Sequence, residues 1–521
     1  MQSAARVYFN KRAADLTLPE AAMLAGLPQA PSQYNPYLSP EAALQRRDEV
    51  LKKMLDLGYI DASQYGEAVG TKIQLHKSSY YRERRESYFF DYVRAELVKK
   101  YGKEKVRQGG LKVYTTLDFD MQRKARNAIA GRLGAPGSPS SALVSIDPKN
   151  GHIRAMASSA SYADSKYNLA TQAKRQPGST FKVIVLMTAI HQGVDINRVS
   201  YPSKTLNFVD PTYGKIDVAN SDGGASGGTK TLFNATVSSD NTVFQQLDLD
   251  LGPPAVTKMA RAMGVTSHMD SYPAEALGGF KYGVSVLEMA RAYVTVNDGG
   301  YRIKPVAITK VVDPDGHVDT SLGQPKKVKV FTDGETYEAI QAMKANAQRG
   351  TGTAANLGFC PTAGKTGTTS GFVDAWFNGM TSNLNTTVWV GYPKENTPMT
   401  NVPGYGTMFG GDAPAQIWHD FMSSAVDRAG CKDWPQPKEP FVGQPFFGKY
   451  ASQSRSTGPA DPTTTPTTPT TPGAPATGQG TPDAGGGQQY PPGQYATPPQ
   501  GPPATTTPPV DAGTGGAAPT G

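Results

Sequence analysis

The chain has 521 residues, enough for more than one domain and a large core. Its 52 basic and 44 acidic side chains give a net charge of +8 spread along the sequence, with no nucleic-acid-binding motif beside it, so a nucleic-acid role is not expected. An anionic cell-wall or membrane surface suits that mild charge equally well. Six histidines without a spacing such as H-E-x-x-H argue against a metal centre, and two cysteines are too few for a disulfide framework.

In chain order, residues 1–60 read as helical. AARVYFNKRAADLTLPEAAMLAGL has helix-compatible apolar spacing, with Pro19 at the first helical position and Gly26 and Pro28 closing the segment. EAALQRRDEVLKKMLDLGYI (41–60) is a second amphipathic helix ending at Gly58. Met1 opens on no apolar signal core, and no run of 18 apolar residues is present to span a membrane as a helix. The basic run YYRERRESY (80–88) carries interspersed acids and is expected to be a solvated face. SYFFDYVRAELVKKYG (87–102) is helical, GLKVYTTLDFDMQRKARNAIAGRL (110–133) is a strand leading into a helix, and APGSPSS (135–141) is a linker.

SALVSIDPKNGHIRAMAS then forms a hairpin of two apolar-rich strands about Asp147-Pro148-Lys149-Asn150-Gly151. AWFNGMTS (375–382) and TTVWVGY (386–392) are strands of one sheet, and TMFGGDAPAQIWHDFMSSAV (407–426) leads into a closing amphipathic helix. Strands, then helices, then strands predict an α/β (α+β) domain, an antiparallel sheet covered by helices. From about Tyr450 the composition turns to DPTTTPTTPTTPGAPATG and similar tracts, which cannot bury apolar surface; order is expected to end near Phe447. Cys360 and Cys431 form one bridge if the protein is exported, or else are two buried thiols.

Chemistry concentrates first in RQPGSTFKVIVLMTAI (175–190). Val183 through Met187 read as a buried helix, with Pro177-Gly178 as its entry. Ser179 and Lys182, three positions apart, share a face. A hydroxyl beside an amine at a helix start is a sensible nucleophile: the lysine takes the proton, and free backbone N–H groups stabilise an oxyanion. Taken alone, S-x-x-K is weak evidence, since Ser179 can merely cap the helix and Lys182 be solvated. Two further motifs follow in order: Ser239-Asp240-Asn241 at a loop–helix boundary, and Lys365-Thr366-Gly367 before the AWF strand.

S-x-x-K with S-D-N and K-T-G is the signature set of class A β-lactamases and penicillin-binding proteins. Residues 110–426 resemble the transpeptidase region of a class A, bifunctional penicillin-binding protein, through GGLKVYTTLD, RQPGSTFK, SSDNTVF, ALGG, EMARAYVTVNDGGYRIKP, AGKTGTT, DAWFNGMT and VWVGY in the family's order. AARVYFNK and LTLPEAAMLAGLPQAPSQYNP resemble the last two motifs of the family's glycosyltransferase domain, whose acidic motifs and membrane anchor lie before them. The resemblance implies four regions. Residues 1–60 are a glycosyltransferase remnant, 61–140 a linking region, 141–430 the transpeptidase domain, and 431–521 a C-terminal extension. Glycan polymerisation is doubtful for such a remnant, and AAMLAGL is expected to pack poorly.

It further implies a D,D-transpeptidase that crosslinks peptidoglycan stem peptides on the extracytoplasmic face of the cell membrane. Lipid-linked precursor, β-lactams and other cell-wall synthesis proteins are the implied partners, and no cofactor is needed. Ser179 is the nucleophile, and Lys182 is its base once burial and the Lys365 ammonium depress its pKa. Ser239 relays a proton, Asn241 holds a substrate amide, and Lys365, Thr366 and Thr368 take a terminal carboxylate. Gly367 admits a substrate backbone along the strand edge. The N–H groups of Ser179 and Thr368 form the oxyanion hole. A serine β-lactamase is the nearer rival, requiring a glutamate after S-D-N for deacylation; Glu275 is at such a distance but reads as a surface carboxylate. A catalytically idle scaffold or sensor is the rival from another class.

Overall fold

In a computed structural model, residues 1–76, 86–220, 227–394 and 396–452 are described. They fall into two compact units, Met1–Ser87 and Tyr88 onward. Residues 80–85 of the basic run lie outside the described residues, as does the Pro/Thr-rich tail from 453.

The first unit is helical: α1 (Gln2–Phe9), α2 (Leu18–Gly26), α3 (Pro40–Asp56) and α4 (Ala62–Gly70). Thr17, not Leu18, caps α2, in a reciprocal box with Glu20, which places Pro19 at the second helical position. Lys11 donates to both oxygens of Glu20 at 2.8 and 2.9 Å, tying the loop before α2 to its first turn. AAMLAGL packs well, against the expectation: Met23 and Leu24 bury against Ala5, Phe9 and Ala43, and Ala22 against Leu51 and Ala68. The 61–140 stretch, expected as a linking region, divides between the units: Ala68 on α4 shares the core of the first, and the helix 119–133 that of the second.

In the second unit come α5 (Ser87–Tyr101), α6 (Lys103–Gln108), β1 (Lys112–Thr115), α7 (Phe119–Leu133), β2 (Ser140–Ile146) and β3 (Ile153–Ser158). The middle holds α8 (Lys182–His191), β4 (Ser200–Pro202), β5 (Leu206–Asp210), β6 (Gly214–Val218), β7 (Thr229–Thr231), α9 (Leu232–Ser238), α10 (Asn241–Leu251), α11 (Pro253–Met263) and α12 (Val286–Asn297). After β8 (Tyr301–Ile303), β9 (Ile308–Val312), β10 (Val318–Asp319) and β11 (Lys327–Lys329) come α13 (Asp333–Arg349), β12 (Ala363–Thr368), β13 (Asp374–Thr381), β14 (Leu384–Gly391) and α14 (Ala413–Ala425).

The main sheet is antiparallel in the order β12-β13-β14-β2-β3, the class expected. Its strands are buried on both faces, which is why they read as near-continuous apolar runs. Side-chain alternation sorts the residues. Ala142, Val144, Trp376, Met380 and Trp389 face a large core with α8, α10 and α12. Leu143, Phe377, Val388 and Val390 face a second core with α7 and α14. Cys360 and Cys431, left open by the sequence, are bonded, with Cα atoms 5.6 Å apart.

The chain stays structured beyond Phe447. Its last described stretch straps back over the body: Gln444 N–H donates to the Gly193 carbonyl, Tyr450 N–H to the Asp250 carboxylate, and Ser452 N–H to the Ser200 carbonyl. Phe441, Phe446 and Tyr450 pack on the large core, so this strap buries apolar surface that composition alone did not credit to it.

Candidate active site

Ser179 does not sit on the α-helix itself. It lies in a 3₁₀ turn, Gly178–Phe181, and α8 begins at Lys182. In such a turn positions i and i+3 eclipse, which keeps Ser179 on the side from which Lys182 follows. Pro177 leads in, and Gly178 holds φ +52°, a left-handed conformation that suits glycine. Three backbones stack here. A Cβ on Gly178 would meet the Thr368 carbonyl oxygen at 2.8 Å, and one on Gly278 would meet Gly178 itself at 2.2 Å. Across the turn, Gly367 leaves room for Pro177 and Thr180, whose carbonyl oxygen and methyl group a Cβ would approach to 2.5 and 2.8 Å. The glycine of K-T-G thus has a reason inside the protein, nearer than a substrate.

Lys182 is fully buried. Its Nζ donates to the Ser239 carbonyl at 2.6 Å and to Asn241 Oδ1 at 2.7 Å, with Ser239 Oγ at 3.5 Å. Burial, and then the Lys365 ammonium, push its pKa well below the usual lysine value. A neutral amine has two N–H bonds; both can be spent on these two oxygens, leaving the lone pair as a proton acceptor.

Ser239 terminates α9 in the left-handed region at φ +59°, which turns its carbonyl to Lys182 and its hydroxyl to Lys365. Asp240 caps α10, its carboxylate accepting the Val243 N–H. Asn241 is the first residue of α10; its side-chain amide donates to the Ala219 carbonyl at 3.0 Å, and its backbone N–H donates to Asn220 Oδ1 at 2.7 Å. Lys365 Nζ, buried on β12, donates to Ser239 Oγ at 2.7 Å and to the Thr366 carbonyl at 3.1 Å, and burial brings it down to about 7. A chain of contacts therefore runs Lys182–Ser239–Lys365 through one hydroxyl.

The hydroxyls of Thr366 and Thr368 already have protein partners. Thr366 Oγ1 lies 2.6 Å from Thr351 Oγ1, which accepts from Asn346 Nδ2 at 2.9 Å. Thr368 Oγ1 accepts the Gly410 N–H at 3.0 Å. With Asn346 donating into Thr351, the Thr351 hydroxyl can donate to Thr366 and leave the Thr366 proton to point outward. Asn346 also donates to the Val237 carbonyl at 2.8 Å, so one buried amide joins the S-D-N loop to the K-T-G strand.

The turn is fastened by an ion pair between the half-buried Arg175 and the buried Asp374. Arg175 Nε donates to Asp374 Oδ1 at 2.6 Å, and Trp389 Nε1 donates to the same oxygen at 2.8 Å. Trp376 Nε1 donates to the Gln176 carbonyl, and the Asp374 N–H to Thr369 Oγ1. Asn220, Asn346, Thr351, Arg175 and Asp374 were not singled out from the sequence. Asn220, Asn346 and Thr351 belong to no short motif; Arg175 and Asp374 open RQPGSTFK and DAWFNGMT, but only the fold pairs them at the site. Glu275 is a correction: instead of lying on the surface it is buried, 6% exposed, and accepts the N–H groups of Asp270 and Ser271. Burial raises its pKa. Among the described residues no group of three His, Cys, Asp or Glu side chains converges as a metal site.

Comparison with known proteins places the chain among relatives. Residues 141–423 match the penicillin binding protein transpeptidase domain, and residues 1–55 match a transglycosylase model. Penicillin-binding protein 1A of Aquifex aeolicus is 30% identical over 85% of this chain and 70% of its own length. Penicillin-binding protein 2D of Bacillus subtilis is 32% identical over 82% of this chain, which spans 62% of that relative. Among solved structures, PonA1 of Mycobacterium tuberculosis in complex with penicillin V is 29% identical with a TM-score of 0.60, covering 68% of this chain and 97% of its own. Penicillin-binding protein 1A of Haemophilus influenzae superposes with a TM-score of 0.69 at 23% identity, covering 88% and 89% of the two chains.

Proposed function

Because the chain belongs to the penicillin-binding protein transpeptidase family, we propose that it is a serine D,D-transpeptidase that crosslinks peptidoglycan stem peptides outside the cytoplasm. The observation that carries the reading is the buried Lys182 amine, wedged between two carbonyl-type oxygens and next in line to Lys365 through Ser239.

Ser179 Oγ attacks the penultimate D-Ala carbonyl carbon while its proton passes to the neutral Lys182. Negative charge collects on the carbonyl oxygen, facing the N–H groups of Ser179 and Thr368, each such donor being worth roughly 3–4 kcal/mol. The C–N bond then breaks. The terminal D-Ala amine leaves with a proton delivered through the Lys182–Ser239–Lys365 line, and an acyl-enzyme remains. An amine from a neighbouring stem attacks that ester, loses its proton to the same relay and restores Ser179. Lys365 and the outward Thr366 proton receive the terminal carboxylate of the donor strand, and β-lactams acylate Ser179 as mimics of that strand. Lipid-linked precursor and further cell-wall synthesis proteins complete the proposed partners, and among the described residues no helix is long and apolar enough to cross a membrane.

Intact-mass spectrometry after incubation with a penicillin tests this. A long-lived single adduct, absent from Ser179→Ala, supports the reading. Rapid turnover with consumption of the drug makes the protein a β-lactamase, and no adduct on folded protein makes it a scaffold.

A further inference from the structure

The residue between Ser239 and Asn241 has no part in the reaction just written, yet its surroundings are elaborate. The Asp240 side chain is completely enclosed. Its Oδ2 accepts from Ser203 Oγ at 2.6 Å, Asn220 Nδ2 at 3.1 Å and Lys230 Nζ at 3.0 Å. Its Oδ1 accepts from Thr242 Oγ1 at 2.8 Å and the Val243 N–H at 3.0 Å. Burial alone would raise this carboxyl; the donors outweigh it and hold it at about 2, so Asp240 is an anion at every working pH. It is flanked in sequence by the two residues whose oxygens hold the Lys182 amine. An uncompensated anion there favours the ammonium form of Lys182, which has no lone pair for the Ser179 proton.

Lys230 supplies the compensation. It stands on β7, its side chain 21% exposed, and binds Asp240 and the Ser238 hydroxyl, the latter at 3.1 Å. The charges acting on Lys182 are Lys365 and Lys230, which favour the neutral amine, and Asp240, which opposes it. Charged groups on the other elements packed against α8 are engaged elsewhere. On α13, Asp333 accepts the Lys438 N–H, Glu335 takes His191, Glu338 takes Asn197, Lys344 takes Asp433 and Arg349 lies over the Phe233 ring. Asp250 of α10 takes Tyr201 and the Tyr450 N–H. Asp248 of α10 faces Glu275 of the 273–277 turn. On α11, Arg261 donates to the Val265 carbonyl and Lys258 is exposed.

We propose that Lys230 is a positioning residue whose ammonium cancels the Asp240 carboxylate beside Lys182 and so sets the pH at which Ser179 becomes reactive. The proposal rests on Lys182 being the base for Ser179. Its mark is a charge effect rather than a packing effect: removing Lys230 leaves the anion in place, and restoring neutrality by any other route restores the profile.

The test is the pH profile of the maximal Ser179 acylation rate at saturating fluorescent penicillin, where loss of the Lys365 ammonium affects binding but not the plateau, with thermal melting of each variant alongside. Lys230→Met should move the acid limb to higher pH by on the order of one unit, about a tenfold loss of rate below the wild-type midpoint, with the alkaline plateau retained. Lys230→Arg should leave the limb in place. The double variant Lys230→Met/Asp240→Asn should return it toward wild type. Should Lys230→Met not fold, Asp240→Asn alone carries the test with opposite sign, its limb moving to lower pH. A limb that stays put in Lys230→Met while the plateau falls overturns the proposal, since that is the signature of lost packing. A wild-type protein that is never acylated at Ser179 overturns the transpeptidase reading first, and the two failures are told apart by that control.

Discussion

Replacing Gly178 by alanine probes the point where three backbones meet. The perturbation has two parts. Holding alanine at φ +52° costs about 1 kcal/mol against glycine. The new methyl would also lie 2.8, 2.9 and 3.0 Å from the oxygen, carbon and nitrogen of Thr368, where comfortable contacts begin at about 3.5 Å. The turn and β12 must therefore separate by roughly 0.6 Å, because Gly278 closes off retreat on the other side. An oxyanion-hole donor works at about 2.7–3.1 Å; moved out by that amount it no longer bonds well, and its loss costs about 10²- to 10³-fold in rate. The Gly178→Ala protein should therefore acylate with penicillin at least a hundredfold more slowly, while its melting temperature falls by only the few degrees that about 1–3 kcal/mol allows. The assay is the second-order rate of covalent labelling, measured beside thermal unfolding. A folded variant that acylates within about threefold of wild type would refute the reasoning and remove Thr368 from the oxyanion hole.

Two other outcomes follow from the same structure. The Cys360–Cys431 bridge closes a loop of sequence separation 71, worth about 4 kcal/mol in the chain-entropy model, so replacing both cysteines by alanine should lower the urea midpoint without slowing acylation of the folded protein. An unchanged midpoint would show that the bridge adds nothing. Burial lowers Lys365 from 10.5 to about 7, so affinity for a carboxylate-bearing substrate should weaken as pH rises through about 7 and the ammonium is lost. The stability sign runs the other way: between about pH 7 and 10.5 the unfolded state binds the extra proton, so the penalty for burying Lys365 is full below 7 and relieved as pH rises. Comparing the pH dependence of melting in wild type and Lys365→Met isolates this contribution. A difference that stays flat across that window contradicts the assignment.

What the sequence determined by itself was local. Apolar periodicity is a property of neighbouring residues, so the hairpin of β2 and β3, the strands β13 and β14, and the helices α3, α5, α7 and α14 were all legible from it. Ser179, Lys182, Ser239, Asn241 and Lys365 stood out as candidates because each motif is short and the three follow one another in a telling order. The tertiary structure decided everything that depends on distant segments meeting. It buried Glu275, which reads as polar and exposed until the 270–275 backbone wraps it. It packed AAMLAGL against Phe9 and Leu51, and it extended order to Ser452 because the strap finds apolar cover on the core. It put Ser179 in a 3₁₀ turn, where Gly178 meets the backbones of Gly278 and Thr368 at close range. Above all it made the environment of Lys182, where burial and a second ammonium together lower its pKa. The residues that create that environment for Lys182 come from β7, α10 and β12, and no local pattern records their convergence.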